Sequence, residues 1–225
     1  MRFLTFALGG LLCTAALPAL AQTTTVADAP TARRFYIGLG AYHSNYQNLG
    51  DLRYGDTGFR VPVQLTAGYQ LRPRLALELG AAYCGRTSRY AYDGYFYDGS
   101  GAAVYYQYSN TYTVRTTSVS ALARYTLTRQ PAHRLQFDVL GGVGLVHAAR
   151  YSRGTQIDRF SGSTQSAPFA VRNATNNWLL TAGLAARYRL SSRFELNFDI
   201  TTNRDLTRPD FIGSAALGLR YRFGQ

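Results

Sequence analysis

Apolar and polar residues alternate with a period of two along most of the chain after residue 34. In the segment 59–71 the apolar positions are Phe59, Val61, Val63, Leu65, Ala67, Tyr69 and Leu71. The positions between them are Arg60, Pro62, Gln64, Thr66, Gly68 and Gln70. A period of two places alternate side chains on opposite faces of a β-strand, whereas helix faces repeat every 3.6 residues. The pattern therefore predicts strands and does not fit a helical protein.

Eight segments show this alternation, and their lengths are close to the about 9–11 residues of a tilted membrane-spanning strand. They are 35–42, 59–71, 75–84, 118–127, 135–145, 177–190, 194–201 and 214–223. Short connections (72–74, 128–133 and 191–192) alternate with long ones (46–58, 91–110, 151–176 and 203–211). This arrangement is typical of bacterial outer-membrane barrels. We therefore predict an all-β protein, an eight-stranded antiparallel up-and-down transmembrane β-barrel, with both termini on the short-turn side.

A tyrosine recurs near the end of every second segment. The residues are Tyr69, Tyr125, Tyr188 and Tyr221, and Phe223 follows the last of them at the next position on the same face. Each lies on the apolar face, two residues before a leucine or phenylalanine. Aromatic side chains at one depth are typical of the interface between lipid and water. These five residues therefore predict an aromatic girdle at the periplasmic rim.

The last residues carry a family resemblance. Residues 216–223 place Gly218 before Leu219, Tyr221 and Phe223, and so resemble the C-terminal assembly signal of outer-membrane barrels. Ala216 and the trailing Gly224-Gln225 depart from that signal. With the strand count, the chain resembles the small barrels of the OmpA/OmpX class, without a peptidoglycan-binding domain. The resemblance implies a Gram-negative outer membrane, recognition of the C-terminal strand by the barrel assembly machinery, and contact with outer-membrane lipid and lipopolysaccharide.

The N-terminus has the pattern of a secretory signal peptide. Arg2 precedes an apolar stretch at 3–17, and Ala19-Leu20-Ala21 forms a small-x-small cleavage site. We predict a signal peptide at 1–21 cleaved after Ala21, a short periplasmic segment at 22–33 and the barrel at 34–225. Because Cys13 lies in the signal peptide, Cys84 would be the only cysteine of the mature chain. No intrachain disulfide is then expected.

The chain has a formal charge of +12, and all 24 basic residues are arginines. They are scattered along the sequence and no nucleic-acid-binding motif accompanies them, so we expect no nucleic-acid partner. Arginine pairs bidentately with phosphate, which favours an anionic lipid surface. Four arginines of the third long connection are candidates for pairing with lipopolysaccharide phosphates: Arg150, Arg153, Arg159 and Arg172.

If the apolar face contacts lipid, the other face lines the lumen. Seven charged residues of that face lie within a few residues of the short turns, and we predict that they form one ion-pair network: Glu78, Arg124, Asp138, Arg187, Glu195, Asp199 and Arg220. Arg60, Arg189 and Arg222 share the same face. An eight-stranded barrel is only wide enough to be filled by its side chains, so a plug is expected. The alternative is a gated ion path through the arginines.

Aromatic residues are concentrated in the second long connection. Six of them are candidates for binding an extracellular protein or glycan: Tyr92, Tyr95, Phe96, Tyr97, Tyr105 and Tyr106. Tyrosine offers a broad contact surface with a polar tip at low entropic cost. The alternative is a hairpin that extends the barrel and packs its tyrosines among themselves.

The sequence favours a non-enzymatic, porin-like barrel that serves envelope integrity, surface interaction or adhesion, with no cofactor or metal. One alternative is a lipid A-modifying enzyme, since the deacylase of this size uses a His-x-Ser-Asn motif. Here His43-Ser44-Asn45 lacks the spacer, so the imidazole and the hydroxyl would lie on opposite faces. A narrow transporter is the other functional alternative. A soluble lipocalin-type barrel, with its apolar face inward, is the competing fold.

Overall fold

Eight antiparallel strands close into a barrel in sequential order. They are β1 (Phe35–Ser44), β2 (Val63–Arg72), β3 (Leu75–Tyr97), β4 (Ala103–Thr126), β5 (Leu135–Phe160), β6 (Ser163–Arg189), β7 (Phe194–Asp205) and β8 (Phe211–Phe223). The computed structural model describes residues 34–47, 56–130, 133–160, 163–208 and 210–224. The predicted signal peptide and periplasmic segment lie outside the described residues. The predicted fold class is confirmed.

The apolar face of the barrel points outward. Leu79 and Leu184 are each 63% exposed, and the same face carries Ile37, Leu65 and Leu217. The inner face buries mostly polar and charged side chains, together with a small apolar cluster of Val146, Leu179 and Ile212. A soluble barrel that binds its ligand inside needs the opposite arrangement, so the lipocalin alternative is wrong. Within the described ranges, no helix has the length and apolar character to cross a membrane.

The recurring tyrosines lie at one depth. Each pairs with the first residue of the preceding strand: Tyr69 with Phe35, Tyr125 with Leu75, Tyr188 with Leu135 and Tyr221 with Phe194. Aromatic contacts connect part of this ring, with 4.8 Å between the ring centres of Phe35 and Tyr69 and 6.0 Å between those of Phe35 and Phe223. The ring lies at the short-turn end of the barrel, on the face that carries the apolar side chains.

Four strands continue far beyond the barrel. Pairing of β2 with β3 ends at Tyr83, and that of β6 with β7 ends at Leu179. The ladders among β3, β4, β5 and β6 run on without a register shift to the ends of both hairpins. We call this four-stranded extension, residues 85–97, 103–115, 149–160 and 163–174, the protruding sheet. The prediction that 91–110 and 151–176 are loops is therefore wrong for most of these residues, and the alternative for 91–110, a hairpin that extends the barrel, is the arrangement observed.

The tip of the first hairpin is held by Asp98. Its carboxylate accepts hydrogen bonds from the Ser100 hydroxyl (2.6 Å) and from the amides of Ser100 and Ala102 (2.9 Å each). These bonds, led by that of the Ser100 hydroxyl, lower the pKa of Asp98 below its usual value. Gly101 adopts a φ of 81°, which side-chain-bearing residues rarely take. The carboxylate therefore stays ionised at neutral pH and fixes the turn.

Two predicted strand boundaries are also wrong. Strand β2 begins at Val63 and not at Phe59, because Pro62 has no N–H to donate to a ladder. Phe59 and Val61 nevertheless remain exposed, at 53% and 47%. Strand β7 continues to Asp205 and not only to Thr201, and it shortens the predicted loop at 203–211.

Candidate functional site

A layer of charged side chains crosses the lumen near the short-turn end. Arg124 is central to it, because its two terminal nitrogens reach carboxylates from three strands. They lie 3.0 Å from Asp138, 3.0 Å from Asp199 and 3.3 Å from Glu78. The Arg124 side chain is 1% exposed. This arginine therefore ties β4 to β3, β5 and β7 at one level of the barrel.

Three further arginines complete the layer. Arg220 lies 2.8 Å from Glu78, and Arg222 lies 2.8 Å from Glu195. Arg187 donates to Asp138 through two nitrogens and lies 3.6 Å from Glu195. We call this set, four arginines and four carboxylates, the ion layer; its members are Glu78, Arg124, Asp138, Arg187, Glu195, Asp199, Arg220 and Arg222. All seven residues that the sequence indicated belong to it, and Arg222 joins them.

Equal numbers of opposite charges decide what such a layer can do. Burying a charge without a partner is costly, and a buried pair stabilises only when its geometry and hydrogen bonds are good. Here every carboxylate has an arginine nitrogen within 3.0 Å. Thr126 adds a hydroxyl donor to Asp138 at 2.8 Å. The layer is thus a charge-balanced polar core, in which Arg220 is held by ion pairs and not by well-directed hydrogen bonds, and it fixes the relative register of the strands.

Tyr36 supports the ion layer and was not singled out from the sequence. Its hydroxyl donates to Glu78 at 2.8 Å, and the guanidinium groups of Arg220 and Arg222 lie 5.0 and 5.5 Å from its ring centre. The ring lies over Gly68, where any Cβ would collide with it. An inward tyrosine opposite an inward glycine is the signal that could have identified this contact, since Tyr36 pairs with Gly68.

We expect Gly68→Ala to lower the free energy of unfolding by about 1–3 kcal/mol, because the added methyl group displaces the Tyr36 ring from Glu78. Urea unfolding in lipid vesicles, followed by the fluorescence of Trp178, measures this change. Gly141→Ala is the matched control, since nothing lies within 4 Å of the Cβ position at Gly141. A Gly68→Ala variant as stable as Gly141→Ala would contradict the role given to this contact.

A second group of side chains closes the other end of the lumen. Gln47, which is 1% exposed, donates to the carbonyls of Ala82 (3.2 Å) and Thr116 (3.1 Å) and accepts from Ser118 (3.0 Å). The Tyr46 hydroxyl donates to Asp205 at 2.8 Å. We call Tyr46 and Gln47 the cap. Both follow β1 in a predicted loop, where no periodic pattern indicates which side chain turns inward.

A small cavity of about 50 Å³ lies in the lumen. Its lining extends from Glu78 and Asp199 of the ion layer to Ser118, which bonds to the cap. A space of this size has room for a few water molecules. In the described part of the chain, side chains therefore fill the lumen at two levels, the ion layer and the cap.

The geometry gives little support to the lipid A-modifying alternative. Ser44 is buried and points inward, where its hydroxyl accepts a hydrogen bond from the backbone N–H of Gln47 at 3.2 Å. His43 lies on the outer face of the same strand, opposite Ala215. His147 lies on β5, with its Nδ1 2.6 Å from the Asn176 amide oxygen. Among the described residues, no group of three or more His, Cys, Asp or Glu is placed to hold a metal ion.

The inner face of the protruding sheet carries an aromatic cluster. Its members are Tyr90, Tyr92, Phe96, Tyr106, Tyr108 and Phe169. Ring centres lie 5.0 Å apart for Tyr92 and Tyr108, 5.4 Å for Tyr108 and Phe169, and 6.1 Å for Tyr90 and Tyr108. Phe169 packs over Gly154, which faces it across the ladder. The aromatic cluster thus spans three strands.

The six aromatic residues indicated by the sequence do not form a single surface. Tyr92, Phe96 and Tyr106 belong to the aromatic cluster, whereas Tyr95, Tyr97 and Tyr105 alternate with them and lie on the outer face of the sheet. Tyr95 and Tyr97 are 72% and 76% exposed. Tyr105 donates to Asp93 at 2.6 Å and lies 5.1 Å from the Tyr95 ring. The prediction of loops hid this division, because only a strand assigns alternate residues to opposite faces.

Residues 9–223 match the family model described as "Outer membrane protein beta-barrel domain". The chain belongs to this family. The match covers nearly the whole sequence and confirms the resemblance inferred from the C-terminal residues and the strand count. Placement in an outer membrane follows from membership of the family. No curated protein matches the sequence significantly.

Solved structures with the same kind of fold include three small barrels. The N-terminal β-barrel domain of OprF from Pseudomonas aeruginosa is 15% identical, covers 84% of this chain and 97% of its own, and gives a TM-score of 0.44. OprG from the same organism is 12% identical, with coverages of 85% and 97% and a TM-score of 0.46. Ail from Yersinia pestis, solved with the heparin analogue sucrose octasulfate, is 13% identical, with coverages of 84% and 97% and a TM-score of 0.42. Likenesses this distant add nothing about function.

Proposed function

We propose that this outer-membrane barrel is a non-enzymatic surface protein that binds an extracellular protein or glycan through the protruding sheet. The observation that carries the proposal is the aromatic cluster on the inner face of that sheet. Tyr90, Tyr92 and Phe96 are 45%, 50% and 40% exposed. Apolar surface that remains accessible on a rigid element is typical of recognition sites.

The rigidity of the sheet supports this function. Its ladders continue from the barrel wall without a register shift, and the tip is held by Asp98. Hydrogen bonds also connect the cluster to neighbouring strands. Asn110 donates to the Tyr90 hydroxyl at 2.7 Å, and Ser152 donates to Asn110 at 3.0 Å. A surface that is ordered before binding loses little entropy when a ligand arrives. This favours recognition over simple solvation of a flexible loop.

The filled lumen supports the non-enzymatic part of the proposal and a contribution to envelope integrity. The ion layer and the cap occupy the space in which a transported solute or a lipid chain would have to lie. A barrel packed in this way adds a stable, closed element to the membrane. The proposed partners are therefore lipid and lipopolysaccharide around the barrel, and a protein or glycan at the protruding sheet.

The test is binding of the protein, folded in lipid nanodiscs, to arrays of glycans and of extracellular-matrix proteins. We expect Tyr92→Ala combined with Tyr108→Ala to weaken binding about tenfold to thirtyfold, because central aromatic residues supply most of the binding energy at such surfaces. The matched control combines Tyr95→Ala with Tyr97→Ala on the outer face. Binding lost only in the control would place the site at the outer face of the tip. Absence of binding to either array would contradict the proposal.

A further inference from the structure

The outer face of the protruding sheet carries a second feature, immediately above the apolar surface of the barrel. The residues that pair across the four strands form rows, and the last row of the apolar surface is Ala81, Val119, Leu145 and Trp178. The next row is Tyr83, Thr117, His147 and Asn176. The three rows that follow contain Arg115, then Arg172, then Arg89 together with Arg153. We call these four residues the arginine patch.

The arginine patch holds positive charge without local compensation. All four residues are exposed, and none forms an ion pair with a carboxylate among the described residues. The other positions of the three rows are Gly85, Ala149, Ala174, Thr87, Thr113, Tyr151, Thr111 and Ala170, and none of them is acidic. The first carboxylate on this face is Asp93, two rows further from the barrel. Four positive charges are therefore collected on the part of the sheet nearest the membrane.

The position of the patch identifies its ligand. A belt of exposed apolar side chains that meets lipid ends at Trp178, which is 55% exposed, so the following rows lie at the level of the lipid headgroups. Phosphate is the group that a guanidinium binds in bidentate geometry. The guanidinium of Arg172 lies 5.2 Å from the centre of the Tyr151 ring, which directs it along this face. We propose that the arginine patch binds the phosphate groups of lipopolysaccharide in the leaflet that surrounds the barrel.

This site differs from the set of arginines that the sequence indicated. Arg153 and Arg172 belong to the patch, and Arg89 and Arg115 join them from the other hairpin. Arg150 lies on the inner face of the sheet, and Arg159 is far from the membrane, over the Tyr105 ring at 5.6 Å. The proposal rests on the contact with lipopolysaccharide proposed above and locates it on the barrel, but it is independent of ligand binding at the aromatic cluster, which occupies the opposite face.

The experiment measures the affinity of the barrel in phosphatidylcholine nanodiscs for purified lipopolysaccharide, using the fluorescence of Trp178, the only tryptophan of the chain. An arginine beside an anionic surface contributes about fivefold to binding, so we expect Arg115→Gln with Arg153→Gln to weaken binding about 25-fold. Enzymatically dephosphorylated lipopolysaccharide should bind the wild type as weakly as intact lipopolysaccharide binds the Arg115/Arg153 variant. Arg150→Gln with Arg159→Gln removes the same charge and should change the affinity less than threefold.

Three results would overturn the proposal. Equal weakening in the control pair would show that only the net charge of the protein matters. Unchanged binding of dephosphorylated lipopolysaccharide would show that phosphate is not the group that the arginine patch binds. Tight binding of a soluble polyanion such as heparin, lost in the Arg115/Arg153 variant while lipopolysaccharide binding persists, would make the patch a receptor for a soluble ligand.

Discussion

Replacing Arg124 with methionine should lower the free energy of unfolding of the barrel by about 3–5 kcal/mol, the usual cost of removing one partner from a buried charge network. The substitution leaves Glu78, Asp138 and Asp199 without the guanidinium that joins them. Four buried carboxylates then face three arginines, and the excess negative charge has no access to bulk water. Urea titration in lipid vesicles, read by the shift of the folded band on unheated gels, measures the change.

The matched control for this variant is Arg153→Met, which removes an exposed arginine from the protruding sheet and should leave the stability within about 0.5 kcal/mol of the wild type. A second variant combines Arg124→Met with Asp199→Asn and restores equal numbers of opposite charges in the layer. We expect it to recover part of the lost stability, because uncompensated charge is the main penalty. A loss below about 1 kcal/mol in Arg124→Met would show that water reaches the layer and screens it.

The second large effect is expected at the C-terminal strand. Tyr221→Ala combined with Phe223→Ala removes aromatic contacts with Phe35 (6.0 Å) and Phe194 (5.2 Å) and the contact between the two rings (6.2 Å). Each such pair contributes about 0.5–1.5 kcal/mol beyond burial, so we expect a loss of about 2–4 kcal/mol. Since β8 closes the barrel against β1, the substitutions weaken the ladder that closes it.

Two measurements separate stability from assembly in this double variant. Unfolding of the refolded protein in vesicles reports the stability, and the amount of folded protein in outer membranes tests the proposed recognition of the strand by the assembly machinery. We expect the amount in cells to fall further than the stability alone predicts. Tyr95→Ala with Tyr97→Ala, which removes two exposed rings from the tip, is the control and should assemble normally. Wild-type amounts of folded barrel in cells would contradict the proposed signal.

The sequence predicted the barrel wall well because lipid and a filled lumen impose opposite demands on alternate residues. Because Glu78 faces the lumen, its neighbours Leu77 and Leu79 must face the lipid. The distance of Glu78, Arg124 and Arg220 from the short turns likewise predicted that the three lie at one level of the lumen. The tyrosine recurrence likewise predicted a common depth, because strands of equal tilt end at the same rim.

The sequence indicated the protruding sheet only in part, as the alternative of an extended hairpin for 91–110, because both faces of this sheet meet water. Tyr95 and Tyr92 lie on opposite faces, yet both environments accept tyrosine, so no period of two appears in the sequence. The cap was missed for a different reason. Gln47 turns inward because of the path of a short connection, and its amide finds partners on β3 and β4 that are 35 and 69 residues away. The residue types predict neither the path of this connection nor the partners of Gln47.

The height of the protruding sheet has a consequence for what the protein can reach. From Tyr83 to Tyr97, β3 adds 14 residues beyond its last partner on β2, which corresponds to roughly 45 Å along the strand. That length exceeds the thickness of a hydrocarbon core, about 30 Å. The aromatic cluster on this strand, from Tyr90 to Phe96, is therefore carried about 20–45 Å along the strand beyond the barrel wall, so that a ligand bound to it would be held away from the lipid surface.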